Sequence, residues 1–383
     1  MKKRLIKIGL FFWMIAFSNY QSAFAKIDSM SISTMDTNVL KPYSIRLGYI
    51  NGFLIPHHED MQHMYKQISG VQVQVLHQVN QNEASKGGSL LGYSLSYYNL
   101  GSEINGRAFS VALLVESPLI KRRNIDKDFW LKSSFQFGLG MGYLTERYDL
   151  KTNPYNRAIG SHLNGYMQIG VLIESQIYRG IGIHAGIGMA HFSNASWKYP
   201  NLGVNLPFVQ YGLNMNIQTV DQSAKVKKND PMRKFTPWQK TVSLRIGKKE
   251  VDLDDDRSFI NGLLEFTLEK YRNHLSNFRY SVGLYHDRTY QYRKFETLDE
   301  YNFLECTELT ISVGYETRFG KWGVMTDLGF YAYKPDFKKK TPYYEAIGVS
   351  YRINQSCKAI LRLKANKTTA DFAEFGFSYR INE

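Results

Sequence analysis

The residues best suited to chemistry in this sequence are a histidine and a serine two positions apart, His191 and Ser193, in the run Met189-Ala190-His191-Phe192-Ser193-Asn194-Ala195-Ser196-Trp197-Lys198-Tyr199-Pro200-Asn201-Leu202-Gly203-Val204-Asn205. Serine beside histidine is the minimal hydrolase pairing: the imidazole takes the hydroxyl proton, and a third group holds the ring in the right tautomer. Taken alone the pair says little, because serine and histidine are common at strand ends. Its value depends on the elements that carry it.

Those elements read as two strands. Ile181, Ile183, Ala185, Ile187 and Met189 share one parity, and Gly182, His184, Gly186, Gly188 and Ala190 share the other. A period of two is a strand with one apolar face. The branched side chains point outward and the glycines point into a narrow interior, so His191 and Ser193 continue the outward parity. After the run, Val209, Tyr211, Leu213, Met215 and Ile217 share the parity of Asn205, with Gln210, Gly212, Asn214 and Asn216 on the inner side. His191, Ser193 and Asn205 therefore belong on the outer surface of one hairpin. The turn at Arg179-Gly180 is tight and hence periplasmic, which puts the 194–204 connection on the cell-surface side.

The same alternation runs through the chain. It predicts eight strands near 43–51, 69–79, 90–100, 107–117, 129–145, 161–178, 181–193 and 204–219, then eight more near 241–251, 258–272, 278–290, 304–318, 321–335, 343–354, 356–367 and 370–382. Apolar outward and polar or small inward is the pattern of an all-β, antiparallel outer-membrane β-barrel. The mean hydropathy of −0.36 agrees, because alternating strands average out. The 27 Tyr and 23 Phe supply aromatic girdles for two bilayer interfaces.

Two architectures fit, a tandem pair of eight-stranded barrels or one sixteen-stranded barrel. Residues 222–240 are polar and basic with two prolines, Pro231 and Pro237, and read as a linker. Periplasmic turns of such barrels are short, so a long connection after the eighth strand favours two barrels, 26–221 and 241–383.

Lys2, Lys3, Arg4 and Lys7, an apolar stretch from Ile8 to Phe17 and an Ala23-Phe24-Ala25 site form a secretory signal peptide over residues 1–25. Removing its four basic residues takes the formal charge from +14 to +10. The remaining charge is spread along the chain, as ordinary solvated lysines or an attraction to anionic lipid would have it. No nucleic-acid motif accompanies it. Two cysteines, Cys306 and Cys357, are no disulfide framework.

The run His191-Phe192-Ser193-Asn194-Ala195, followed by Pro200-Asn201 and Gly203, resembles the signature of the lipid A 3-O-deacylase family over roughly residues 43–219. The resemblance implies an eight-stranded outer-membrane barrel that hydrolyses an ester-linked acyl chain of lipopolysaccharide and needs no cofactor. It implies His191 as base, Ser193 as nucleophile and Asn194 in oxyanion support, with lipid A and outer-membrane lipids as partners. Where the family has a glutamate, this chain has Asn205. An amide can orient a histidine by hydrogen bonding, but it brings no charge to the imidazolium. The compound run, His-Phe-Ser-Asn-Ala with Pro-Asn and Gly after it, does not recur in the second half, so the resemblance stops with the first. The competing reading is a structural or binding barrel derived from such an enzyme. A passive pore fits less well, since the small inward residues of the seventh strand imply a filled interior.

Two other clusters are weaker. His57, His58, Glu59, Asp60 and His63 fit no zinc spacing and read as a solvated surface loop. Asp252, Asp254, Asp255 and Asp256 start like a calcium loop, but Arg257 and Leu263 stand where it needs Gly and Glu.

Overall fold

The structure is a computed structural model describing residues 39–78, 89–124, 130–178, 180–221, 238–250, 257–273, 276–291, 302–319, 321–335, 341–366 and 369–381. The expected signal peptide, residues 222–237 of the expected linker and the 252–256 acidic run lie outside them.

Among the described residues, sixteen strands form two closed barrels. The first comprises β1 (Val39–Phe53), β2 (Gln67–Gln78), β3 (Leu90–Asn99), β4 (Arg107–Asn124), β5 (Trp130–Leu144), β6 (Leu163–Tyr178), β7 (Ile181–Ser193) and β8 (Val204–Asp221). Each strand pairs antiparallel with the next, and β1 closes on β8 with Tyr49 opposite Tyr211. The second comprises β9 (Trp238–Glu250), β10 (Ser258–Asn273), β11 (Ser276–His286), β12 (Thr307–Phe319), β13 (Trp322–Tyr333), β14 (Tyr343–Arg352), β15 (Cys357–Asn366) and β16 (Thr369–Ile381), closed by β16 on β9. The tandem architecture is the one formed, and the single sixteen-stranded barrel is set aside. Trp238, Gln239 and Lys240, at the end of the expected linker, already stand in β9.

The expected parity is visible as exposure. Ile181, Ile183, Ile187, Val209, Tyr211, Leu213 and Met215 lie exposed on the outside, as do Leu244, Ile246, Val282, Leu284, Phe375 and Phe377 of the second barrel. The interiors carry the charge. In the first barrel Arg46 pairs with Glu116 at 2.6 Å and Glu174 at 2.7 Å, and Lys132 reaches Glu116 at 2.6 Å. In the second, Arg245 pairs with Glu265 and Glu374, each at 2.9 Å, and Arg362 with Asp327 at 2.9 Å. Apolar outside and ionic inside inverts the arrangement of a water-soluble protein and suits a hydrocarbon surrounding.

The first barrel is not polar throughout. At the end opposite Gly180, inward Ile50, Ile68, Tyr98, Leu144, Tyr166, Phe192, Leu206 and Phe208 form a buried apolar plug, topped by Leu54, Met61 and Met64 from the β1–β2 loop. Phe192 packs edge-on to Tyr98, with ring centroids 5.9 Å apart, and lies 5.0 Å from Tyr166, while the Tyr98 and Tyr166 hydroxyls share a hydrogen bond of 2.7 Å. Gly142 makes room for it: a Cβ there would lie 2.4 Å from the Phe192 ring. The plug backs the end of β7 where the chemistry is expected.

Cys306 is buried just before β12, Cys357 begins β15, and both are free thiols. Because strands alternate in direction, these positions fall at opposite ends of the second barrel, and a hydrocarbon band of about 25 Å separates such ends. A disulfide allows Cα atoms no more than about 7 Å apart. Both thiols should therefore label in denatured, unreduced protein, and a Cys306–Cys357 bond on non-reducing gels would contradict this strand order. Arg46→Met should lower barrel stability by about 3 kcal/mol or more, because it strands two buried carboxylates on a single lysine; urea unfolding in detergent, followed by gel mobility, measures it.

Candidate active site

Register brings His191 and Asn205 face to face. They are directly paired between β7 and β8, so the 14 positions that separate them in sequence collapse to one cross-strand step. His191 Nδ1 and Asn205 Oδ1 are 2.6 Å apart. Since Oδ1 can only accept, Nδ1 carries the hydrogen, and Nε2 is left with its lone pair. That is the tautomer a general base requires.

What fixes the Asn205 amide is a residue first read as part of a solvated loop. His57 is exposed, yet its Nε2 lies 2.7 Å from the Leu202 carbonyl and its Nδ1 3.1 Å from Asn205 Nδ2. A carbonyl accepts, so Nε2 of His57 is the N–H. In the neutral ring Nδ1 is then an acceptor for the Asn205 amide. Each choice forces the next, from Leu202 through His57 and Asn205 to the free lone pair of His191. A protonated His57 would break this order by presenting Nδ1–H, for which the Ile55 carbonyl waits at 3.4 Å. The loop is placed for this because the Ile55 amide donates to the Asn205 carbonyl at 3.0 Å. Composition and spacing gave no signal for His57, since its partners lie 145 and 148 residues away.

Ser193 shares the outward parity of His191 but is not hydrogen-bonded to it. Its hydroxyl donates to Asn201 Oδ1 at 3.1 Å and accepts the Ala195 amide at 3.2 Å. Asn201 Oδ1 also receives the Asn194 amide at 2.9 Å. Asn194 is buried, and its side-chain amide donates to Ser161 Oγ at 3.0 Å and to the Lys198 carbonyl at 2.6 Å. Both its side-chain hydrogens are thus engaged in holding the loop, so the donor beside Ser193 is on the backbone, the Ala195 N–H. Ala195 and Ser196 adopt φ of +54° and +61°, a left-handed pair unusual for residues with a side chain. This pair turns the chain so that the Ala195 N–H faces Ser193 Oγ.

The far side of the loop returns through Gly203, whose amide donates to the Ala158 carbonyl at 2.9 Å. Gly203 sits at φ +83°, and a Cβ there would come within 2.8 Å of His191 Cε1. Only glycine satisfies both the backbone and the imidazole. The site is therefore a half-buried histidine with the Nε2 lone pair left by its tautomer, a buried serine two residues along, and a hydrogen-bonded loop running from Asn194 to Gly203.

No curated protein matches the chain. Among solved structures, the outer membrane enzyme PagL shares 16% identity with a TM-score of 0.32, covering 45% of this chain and 99% of its own. The translocator domain of the autotransporter NalP from Neisseria meningitidis shares 12% identity with a TM-score of 0.20, covering 96% of this chain and 97% of its own. A porin from Rh. blastica shares 8% identity with a TM-score of 0.17, covering 90% and 100%. The family resemblance, expected for the first half alone, extends to both barrels: residues 69–214 match the family model "Lipid A 3-O-deacylase (PagL)", and residues 238–383 match the model "Acyloxyacyl hydrolase, C-terminal domain".

Proposed function

We propose that this chain is an outer-membrane ester hydrolase that removes an acyl chain from lipid A, with Ser193 as nucleophile and His191 as general base. The observation that carries the reading is the hydrogen bond between His191 and Asn205 on the outward face of β7 and β8, with Ser193 next on that face. The match of residues 69–214 to the deacylase family supports the substrate class. The end of the barrel opposite the tight Gly180 turn is the cell-surface end, so the pair lies at the level of the outer leaflet, where lipopolysaccharide is.

In the reaction, the Ser193 hydroxyl turns from Asn201 to His191 Nε2. Nε2 takes its proton as Oγ attacks the ester carbonyl. The tetrahedral oxyanion forms next to the Ala195 amide, which the departing hydroxyl has released, and a backbone N–H so placed stabilises developing charge. Collapse expels the sugar oxygen, which takes the proton from His191. Water, deprotonated by the same nitrogen, then cleaves the acyl-serine, releasing a fatty acid and restoring Ser193. Throughout, Asn205 holds the ring and His57 holds Asn205. The cost of an amide in place of a carboxylate is weaker support of the imidazolium.

The second reading, a non-catalytic barrel descended from such an enzyme, draws on the Ser193–Asn201 hydrogen bond, which keeps the hydroxyl off the histidine. Mass spectrometry of lipid A from cells with and without the protein decides between them. Loss of one acyl chain only in cells that carry the protein is expected, and identical lipid A would leave the non-catalytic reading. Ser193→Ala and His191→Ala should each abolish the trimming while the barrel keeps its heat-modifiable gel mobility. Normal trimming by either would refute the assignment of nucleophile and base.

The chain of hydrogen bonds makes a finer statement. Asn205→Asp keeps the reach of the side chain and adds the missing charge, so kcat should rise severalfold. Asn205→Ala frees the ring and should lower kcat by roughly 100-fold, within the range a positioned base contributes. His57→Leu should lose more activity than His57→Gln, which keeps an acceptor and a donor. Equal rates for all four variants and the parent would remove both residues from the mechanism.

A further inference from the structure

The loop that carries Ser193 is gripped from the side by the second barrel. Glu250, the last residue of β9, is only 4% exposed and makes three contacts with that loop. Its carboxylate accepts the Lys198 ammonium at 3.0 Å and the Tyr199 amide at 2.8 Å, and its own amide donates to the Ser196 carbonyl at 3.0 Å. Beside it, Ser196 Oγ donates to the carbonyl of Ala370, at the start of β16, at 3.2 Å. β16 and β9 are the neighbours that close the second barrel, so the two grips come from its closing seam.

These contacts fall on the residues that shape the site. Ser196 is half of the left-handed pair that aims the Ala195 amide. Tyr199 is two residues from Asn201, whose Oδ1 holds both the Ser193 hydroxyl and the Asn194 amide. A buried carboxylate receiving a charged and a neutral donor at once is a strong and directional anchor. Within the loop the Lys198 carbonyl is held by Asn194 and the Trp197 amide by the Asn194 carbonyl, and both of these bonds stay inside the segment that needs fixing.

We propose that Glu250 is a positioning residue for the Ser193 site, and that holding the 194–203 loop in its reactive shape is what the second barrel contributes to the reaction. The proposal rests on the reading of Ser193 as nucleophile. A hydrolase tolerates little displacement here, since a shift of about 1 Å in a reacting group can cost roughly 100-fold in rate.

The test uses the full chain, purified in detergent, with lipid A as substrate and trypsin as a probe of the loop. Glu250→Ala should lower kcat at least about tenfold with KM little changed, and should open a new tryptic cut after Lys198. Glu250→Gln, which can still accept the Tyr199 amide, should recover part of kcat. Lys198→Met weakens the same grip from the loop side without touching the second barrel, and should lower kcat in the same way if Glu250→Ala fails to fold. Parental kcat in Glu250→Ala, or in Lys198→Met where the former does not fold, overturns the proposal. If the parent protein does not act on lipid A at all, the functional reading fails, and the grip is judged by trypsin alone: a cut after Lys198 in Glu250→Ala that the parent resists upholds it, and equal resistance overturns it.

Discussion

The structure depends on closure. A β-sheet in hydrocarbon cannot leave an edge, because no water is there to satisfy the open N–H and C=O groups. Pairing β1 with β8, and β16 with β9, removes both edges and completes each barrel. Once eight strands are closed, every second side chain is committed to a narrow interior and the others to the surroundings. The exposed leucines, isoleucines and aromatics and the buried arginines follow from that one geometric decision. An arginine inside is then tolerable only with its partners in place, which is why Arg46 has two glutamates and Arg362 has both Asp327 and Glu374.

Closure also bears on where His191 and Ser193, the proposed base and nucleophile, are placed. A barrel with no cleft has only its outer wall and its ends on which to place chemistry. Rigidity at the end of β7 comes from the apolar plug behind it, where Phe192 points inward between two outward residues, His191 and Ser193. The parity that sends the ring into the plug is the parity that sends histidine and serine out. Packing and chemistry are therefore fixed by the same alternation, and neither can slip by one residue without losing both.

Period-two alternation is a local signal, and it located sixteen strands because it repeats inside each one, although β4 runs to Asn124, seven residues past its expected end. The tandem architecture was readable for a similar reason, from a single polar stretch between two sets of eight. His191, Ser193 and Asn205 could be placed together because strand register is itself periodic. What stayed hidden was every interaction whose partners are joined only by closure or by loops. Arg46 meets Glu116 and Glu174 across 70 and 128 residues, and His57 meets Asn205 across 148. Nothing near His57 distinguishes it from His58, which pairs with Asp60 instead. Asn194 is likewise joined to a distant group, its side-chain amide donating to Ser161, 33 residues away, as well as to the nearby Lys198 carbonyl.

The proposed site belongs to the first barrel, and the two barrels differ in geometry and interior. The second does not repeat the His191-Phe192-Ser193-Asn194-Ala195 run, and its interior is the more heavily ionic, with Arg245, Arg279, Arg362 and Lys364 buried among acidic partners. Such an interior is stiff, because moving any member strands a charge. Stiffness is what an anchor requires. A loop held only by its own hydrogen bonds shares the motion of the parts it is meant to fix, whereas this one is also tied to the closing seam of a separate barrel. The long excursion between β7 and β8 is thus held by Ala158 at Gly203, by Ser161 at Asn194, by His57 at Leu202, and by Glu250 and Ala370 at residues 196–199. The first three come from the first barrel's own β5–β6 and β1–β2 connections, and the last two exist only because a second barrel stands beside it.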